Sequence, residues 1–525
     1  MAEHPDSTRH GLGGAVCSVD HLASAAGLAI LRVGGTAADA AVAASAVLAV
    51  TTQHMCGAGG DLLALVRLPT GEVEALVAVG RAGSGSDPQR LRAEGHDRMP
   101  FRGDPRTVTV PGCVDGWLAL HARHGRLPLA SVLAPAIGYA RGGFPVSPLL
   151  ASALPTVADV LGGEELVGSL PVSAGDIRQR PLLGAALQAI AREGRQAWYG
   201  GAFGRGLLRV GGGVFTEADL ARDLAEWTSP TRLQVDTSTL LSTPPPTAGH
   251  LVLSSAWIAN AVGALGSASD DDPHLLVEAS RLAGFDRPDV LADGVDAADL
   301  VGLADLQSRA GRISPDVSTL IDVPAHGGGT VYLCAADSDG MVVSLSQSNA
   351  AGFGSGLAVR EVGVFLHNRG LGFSLQDGHP AELRPGARPP HTLVPSMLVD
   401  PDGTVTALGT MGGDAQPQIL LQLVAALRAG ATPAAALARP RWAITGPMGT
   451  GFDTWEPWPQ GTLATTVALE EAAPLAWSDA LRRRGHLVER QARGFGHAHL
   501  IVRRADGLLS AASDLRAGTG DAQCF

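Results

Sequence analysis

The sequence predicts an α+β protein in which helices pack in layers against antiparallel sheets, and three observations carry this. Helical periodicity dominates the first half of the 525 residues, β-type runs dominate after residue 330, and Asp-Gly dipeptides join those runs in pairs. With 45% hydrophobic residues, the chain can bury one large core or two to three ordinary ones.

The elements follow in order. Asp20 is placed to cap a helix over 22–32, which Gly34-Gly35 stops, and 37–50 forms a second, almost wholly apolar helix. A helix apolar on every side belongs in the middle of a protein. Strands at 62–66 and 73–77 flank Pro69-Thr70-Gly71 as a hairpin. Helices are expected at 114–124, 129–141, 182–195, 217–227 and 275–282, with Pro- and Gly-rich joints such as Pro244-Pro245-Pro246 between them. The acidic, polar stretch from Asp270 to Pro324 reads as an exposed linker open to cleavage.

Beyond it, strands are expected at 330–335, 341–346, 358–366, 392–399, 404–409, 463–468 and 498–503. Asp339-Gly340, Asp402-Gly403 and Asp506-Gly507 supply hairpin turns, and helices return at 417–428, 433–438 and 475–484. No repeat of fixed period runs through the chain.

Composition narrows the chemistry. The net charge of −12, from 39 basic and 51 acidic residues without a long like-charged run, argues against nucleic acid as a partner. Every basic residue is arginine. The absence of lysine excludes a pyridoxal phosphate Schiff base, a phosphate-loop lysine and a lysine nucleophile. Cys17, Cys56, Cys113, Cys334 and Cys524 contain no C-x-x-C pair, which fits a reducing compartment better than a disulfide framework. Met1 to Ser7 carries no basic-then-apolar leader, and Ala37 to Val50 is too short to span a bilayer. The expectation is a cytoplasmic protein with no membrane partner.

One segment suggests a reaction. Gly327-Gly328-Gly329-Thr330 leads into the alternating run Val331-Tyr332-Leu333-Cys334 and the turn Asp337-Ser338-Asp339-Gly340. On pattern alone this is equally a flexible arm entering a strand. A chain cut before Thr330, however, would carry on one residue a hydroxyl nucleophile and a free α-amine to act as its base.

Ordered motifs favour the second reading. They include 34–43 (Gly-Gly-Thr-Ala-Ala-Asp-Ala-Ala-Val-Ala), 53–60 (Gln-His-Met-Cys-Gly-Ala-Gly-Gly), Val110-Pro111-Gly112, 133–137, 352–356, Asn368-Arg369, Arg388-Pro389 and Met411-Gly412-Gly413. In this order the chain resembles the γ-glutamyltransferase family of N-terminal nucleophile hydrolases. The resemblance implies a four-layer αββα sandwich with two antiparallel sheets between helical layers. It also implies a break before a threonine seven positions upstream of the first aspartate of a D-x-D-G turn, and counting back from Asp337 gives the Gly329–Thr330 bond. The fragments would be residues 1–329, helix-rich and ending in the linker, and 330–525, strand-rich, packed as one intertwined unit.

Site residues follow from the same resemblance. Thr330 is the implied nucleophile; Ser348, eighteen residues on, supplies the hydroxyl that bonds it, with Ser346 as a near substitute. Gly412 and Gly413 offer unobstructed N–H groups for an oxyanion, or form an ordinary strand-to-helix turn. Asn349, His391, Thr392 and Asp414 are candidates to contact substrate, Asp414 alternatively capping the next helix. Arg81 is a loose match for the family's carboxylate-binding arginine, or equally a surface or structural salt bridge.

Departures concern the substrate. Glutathione-directed transferases have an acidic pair before Phe-Ser, whereas here the stretch is Arg369-Gly370-Leu371-Gly372-Phe373-Ser374, and their serine pair is replaced by His391-Thr392. Gln347-Ser348-Asn349, Asn368-Arg369-Gly370 and Pro390-His391-Thr392 resemble instead the branch containing oxamate amidohydrolase. The expected activity is thus that of an autoprocessing amidohydrolase or acyltransferase that passes a γ-glutamyl or related acyl group to water or an amine. Cleavage of a small acidic amide or acylated metabolite, and a silent binding protein of the same fold, are the alternatives. The substrate is a small molecule, the two fragments are each other's partners, and a homodimer fits. No cofactor is implied, and His497-Ala498-His499 lacks the companion ligands for a metal.

Overall fold

The apolar run near residue 40 folds as the helix Ala37–Thr51, buried at every position. Thr36 and Asp39 close a reciprocal capping box at its start, and Asp20 caps the preceding helix His21–Arg32 by accepting from the Leu22 amide. These elements are seen in a computed structural model that describes residues 7–266, 272–323, 328–445 and 465–525.

Two seven-stranded antiparallel sheets organise the described residues. The first runs Asp521–Cys524, Gly14–Ser18, Gly329–Asp337, Val342–Ala350, Asp61–Arg67, Val73–Ala78, Ala225–Thr228. The second runs Arg9–Gly11, Leu509–Ser513, Ala498–Arg503, Val405–Thr410, Ser396–Val399, Ser238–Ser242, Thr231–Val235. Each sheet takes strands from both sides of residue 330.

Three apolar clusters set the packing. Leu65, Tyr332, Cys334 and Val342 of the first sheet meet Met397, Val405, Ala407 and Ile501 of the second. On the outer side of the first sheet, Leu62, Leu333 and Val343 pack with Val47, Trp117 and Leu133 of the helices Ala37–Thr51, Cys113–His124 and Leu129–Gly142. On the outer side of the second, Leu240, Leu408 and Leu500 pack with Val252, Leu282 and Leu420 of three further helices. Strands covered on both faces lose the apolar–polar alternation, and Gly329–Asp337 and Val342–Ala350 are buried along their whole length. Between the sheets Gly409 lies flat under the Tyr332 ring; a Cβ there would come within 2.2 Å of it.

The structure corrects several expectations. The supposed exposed linker is largely folded, as helices His274–Gly284, Arg287–Val290, Ala297–Leu300 and Leu303–Ala310. Val277, Leu282, Leu306 and Ala310 are buried, while Arg309 pairs with Asp286 and Asp305, so a polar composition hid an amphipathic pattern. Residues 270–271 and 324 of that stretch, and Gly327, lie outside the described residues. The helix expected over 217–227 stops at Ala221, and Ala225–Thr228 becomes an edge strand. The 358–366 run is two short strands, Ala358–Val359 and Val364–Phe365. The helices Ala202–Gly211 and Gly249–Ala261 and the hairpin Thr231–Val235/Ser238–Ser242 were not anticipated.

Candidate active site

Strand pairing brings the site together. Thr330 is the second residue of Gly329–Asp337, and the register sets it opposite Ser348, with an irregularity between Gly329 and Thr330. The turn ending this strand is clamped by Asp337, whose carboxylate accepts from the Gly340, Met341 and Ala37 amides. Burial pushes the Asp337 carboxyl above its ordinary range despite those bonds.

Thr330 is 1% exposed and its hydroxyl donates to Ser348 Oγ at 3.0 Å. Ser348 donates to the Gly329 carbonyl at 2.7 Å, and its oxygen also receives the Ala350 amide and Arg369 Nη2, each at 2.9 Å. Ser346 does not substitute: its buried hydroxyl has no hydrogen-bond partner among the described residues.

Gly412 and Gly413 join Val405–Thr410 to the helix Gln416–Arg428 with φ of 149° and 54°. Both values are in the region that favours glycine. The turn lies against the Gly328-Gly329 arm, since a Cβ on Gly328 would be 3.6 Å from Gly413 Cα. Gly413 thus lies beside Gly328, one residue before the Gly329–Thr330 bond.

A cavity of about 400 Å³ opens here, lined by Gly328, Ala350, Asn368, Arg369, His391, Thr392 and Asp414, with Met99, Phe101, Leu371 and Phe373 as apolar wall. Arg98 and Arg287 add further positive charge to its lining. Arg369 is the buried cation: burial pulls its guanidinium down to about 10, while Asp61 and Asp414 oppose that fall. It reaches Thr392 Oγ1 at 3.5 Å.

Behind it stands Asp61, fully buried at the start of Asp61–Arg67. Its Oδ1 accepts from the Gly80 amide at 2.8 Å, and its Oδ2 lies 3.1 Å from His367 Nδ1, 3.5 Å from His391 Nε2 and 4.0 Å from Arg369 Nε. Burial opposes ionisation, yet His367, His391 and Arg369 hold this carboxyl at about 2. For His391 burial comes first, aided by Arg369, and holds the imidazole well below its ordinary value. Its backbone is pinned by the Pro246 carbonyl and the Ala248 amide.

Of the candidate substrate contacts, His391, Thr392 and Asp414 line the cavity, whereas Asn349 and Arg81 do not. Asn349 Nδ2 donates to the Gln53 carbonyl and its amide to that of Met55, fastening its strand to the 53–60 loop. Arg81 is taken up by Glu226 at 2.7 Å, Asp293 at 3.6 Å and the Gly386 carbonyl, with Arg388 completing a structural network. Two carboxylates within reach saturate its guanidinium. Asp414 does not cap the following helix, whose N-cap Ala415 has no side-chain bond, but forms an ion pair with Arg287. Arg369, Arg287 and Asp61 carried no assigned role in the sequence, although Asn368-Arg369 was among its motifs and Asp61 directly follows the 53–60 run.

His499 bonds Ser513 and stacks on Tyr332. The cluster with metal-ligand spacing among the described residues is instead His274, Glu278 and His486. Its members do not line the cavity, and His274 Nδ1 lies 2.7 Å from His486 Nε2, a hydrogen-bond separation.

The chain is similar to known proteins over most of its length. The Gamma-glutamyltranspeptidase family profile matches residues 23–524. The oxamate amidohydrolase proenzyme of Klebsiella pneumoniae is 34% identical over 519 residues, 94% of this chain and 96% of that protein. The glutathione hydrolase-like YwrD proenzyme of Bacillus subtilis is 35% identical over 449 residues, 81% and 84% of the two. The crystal structure of cephalosporin acylase from Bacillus halodurans superposes with a TM-score of 0.87 at 30% identity, covering 100% of this chain and 98% of that one.

Proposed function

The chain belongs to the γ-glutamyltranspeptidase family, and on that premise we propose that it is an autoprocessing amidohydrolase whose nucleophile is Thr330 and whose substrate is an amide with an anionic acyl part. The proenzyme names of its relatives support processing, and the two seven-stranded sheets with helices outside each support a four-layer αββα sandwich.

In the uncut chain Thr330 Oγ attacks the Gly329 carbonyl, and hydrolysis of the ester that forms releases the α-amine of Thr330. That amine titrates near neutrality and serves as the base in each turnover. Thr330 then attacks the substrate amide, the Gly412 and Gly413 amides receive the oxyanion, and water or an amine releases the acyl group. Acyl transfer and hydrolysis share these steps up to the acyl-enzyme.

One observation carries the substrate class: Arg369 lines the cavity, while Leu371-Gly372 stand where glutathione-directed relatives have the acidic pair before Phe-Ser. A substrate ammonium there would be buried beside a guanidinium, and the cavity's Asp414 is already engaged by Arg287. A carboxylate close to the scissile amide is matched instead, the pattern of a small acidic amide. Five unpaired cysteines, four of them buried, support action in a reducing cytoplasm.

The test is a denaturing gel of wild type beside Thr330→Ala, followed by the mass of the trapped acyl adduct. Two fragments from wild type and an intact Thr330→Ala chain are expected, with an adduct lacking a free amine. An intact wild-type chain refutes the processing, and a γ-glutamyl mass refutes the substrate class.

A further inference from the structure

Ser348 Oγ has one proton and two lone pairs, yet four groups converge on it. Thr330 Oγ1 lies at 3.0 Å, the Ala350 amide at 2.9 Å, Arg369 Nη2 at 2.9 Å and the Gly329 carbonyl at 2.7 Å. The amide and the guanidinium only donate, and the carbonyl only accepts. The serine's one proton goes to Gly329 O, and its two lone pairs are shared by three donors, the two N–H groups and the Thr330 hydroxyl, whose proton is thereby directed to Ser348. The result is a directed chain of hydroxyls ending on the carbonyl to be attacked.

We propose that Arg369 is a positioning residue for self-cleavage: by donating to Ser348 it sets the direction of proton movement across the Gly329–Thr330 bond. This rests on the reading of Thr330 as the self-cleaving nucleophile. A lone backbone amide would leave Ser348 free to turn its proton back toward Thr330; the guanidinium removes that option. It also stabilises negative charge on the serine oxygen while the proton is in transit.

The step balances without an outside reagent until water enters. Thr330 Oγ bonds to the Gly329 carbonyl carbon as its proton passes to Ser348 Oγ and the serine proton passes to the carbonyl oxygen. The neutral adduct collapses: the C–N bond breaks, the carbonyl reforms, and the adduct's hydroxyl proton moves to the Thr330 nitrogen. An ester and a free amine result. Water hydrolyses the ester, releasing the Gly329 carboxylate and restoring the Thr330 hydroxyl.

Arg369 is braced for this from behind. Asp61 Oδ2 lies 4.0 Å from its Nε and Thr392 Oγ1 receives Nη1 at 3.5 Å, which leaves Nη2 for Ser348. When the Gly329 carbonyl departs, the same guanidinium remains at the cavity wall. One side chain then serves two events in order, maturation and substrate recognition.

The experiment follows freshly translated full-length chains to fragments on denaturing gels, for wild type, Thr330→Ala, Arg369→Gln and Arg369→Lys. Arg369→Gln is expected to mature about 10- to 100-fold more slowly, the loss of one charge-assisted hydrogen bond. Arg369→Lys or added ethylguanidinium should restore part of the rate. The Thr330→Ala/Arg369→Gln double variant should still unfold in one cooperative transition, at a lower temperature than Thr330→Ala because Asp61 loses a buried counter-charge. Arg369→Gln maturing at the wild-type rate overturns the proposal, as does slow maturation that neither lysine nor ethylguanidinium relieves. Fragments from Thr330→Ala instead overturn the nucleophile reading. Slow maturation with unchanged KM for anionic amides upholds the proposal and removes the carboxylate reading.

Discussion

Asp61→Asn isolates the buried charge on which the cleft depends. Asp61 is held at about 2 against an ordinary 3.8, so the folded state prefers the ionised form and this preference is worth about 2 kcal/mol of stability at neutral pH. The sign follows from the depressed value. The contribution is complete above the unfolded carboxyl range and is lost as pH falls through the folded one, with about 1 kcal/mol gone by pH 3. Asparagine keeps the shape and cannot ionise, so this part of the acid sensitivity disappears. The variant is also less stable at neutral pH, because Arg369 loses a buried counter-ion. Urea unfolding of Thr330→Ala and Thr330→Ala/Asp61→Asn from pH 6 to pH 3 measures both effects in uncut chains. The gap between the two curves should narrow by about 1 kcal/mol toward pH 3. Parallel curves would show that Asp61 is not held ionised by its neighbours, and the account of the Arg369 bracing would fail with it.

Two further outcomes are expected. Gly413→Ala, at a φ of 54°, places a side chain in a strained turn and displaces an oxyanion donor, so kcat should fall about 100- to 1,000-fold with KM little changed; an unaltered kcat would remove this turn from the chemistry. Arg81→Ala should leave KM for an anionic amide within about twofold and cost roughly 1 kcal/mol in unfolding, as for a part-exposed ion-pair network; a tenfold rise in KM would put Arg81 back in the substrate path.

What could be read from the chain depended on how near in sequence the deciding partners lie. Thr330 and Ser348 are eighteen residues apart on one hairpin, and the resemblance to the family implied a hydroxyl at that spacing. The helix Ala37–Thr51 announced its burial because no face of it is polar. For Arg81 a substrate clamp and a structural salt bridge both stayed open, because its partners Glu226 and Asp293 lie far along the chain and no local pattern reports them. Asp61 was overlooked for the same reason: His367, His391 and Arg369 reach it only after the sheets assemble. The 270–324 stretch was misread because acids paired with Arg309 resemble solvated acids in composition.

This division explains why the nucleophile and the substrate reading can part company within one family. The Thr330–Ser348 pair is set by strand register, and a slip of one residue would turn both side chains to the opposite face. Selection on substrate therefore has little room there. Arg369, His391 and Thr392 sit outside the long strands, on a short 3-10 turn and in loop segments, where a side chain can change without moving the sheet. A guanidinium at position 369 nevertheless needs a buried counter-charge, and Asp61 provides it from the first residue of a central strand. The cleft can thus be cationic while the threonine machinery stays in place, because its compensating charge belongs to the scaffold and not to the substrate.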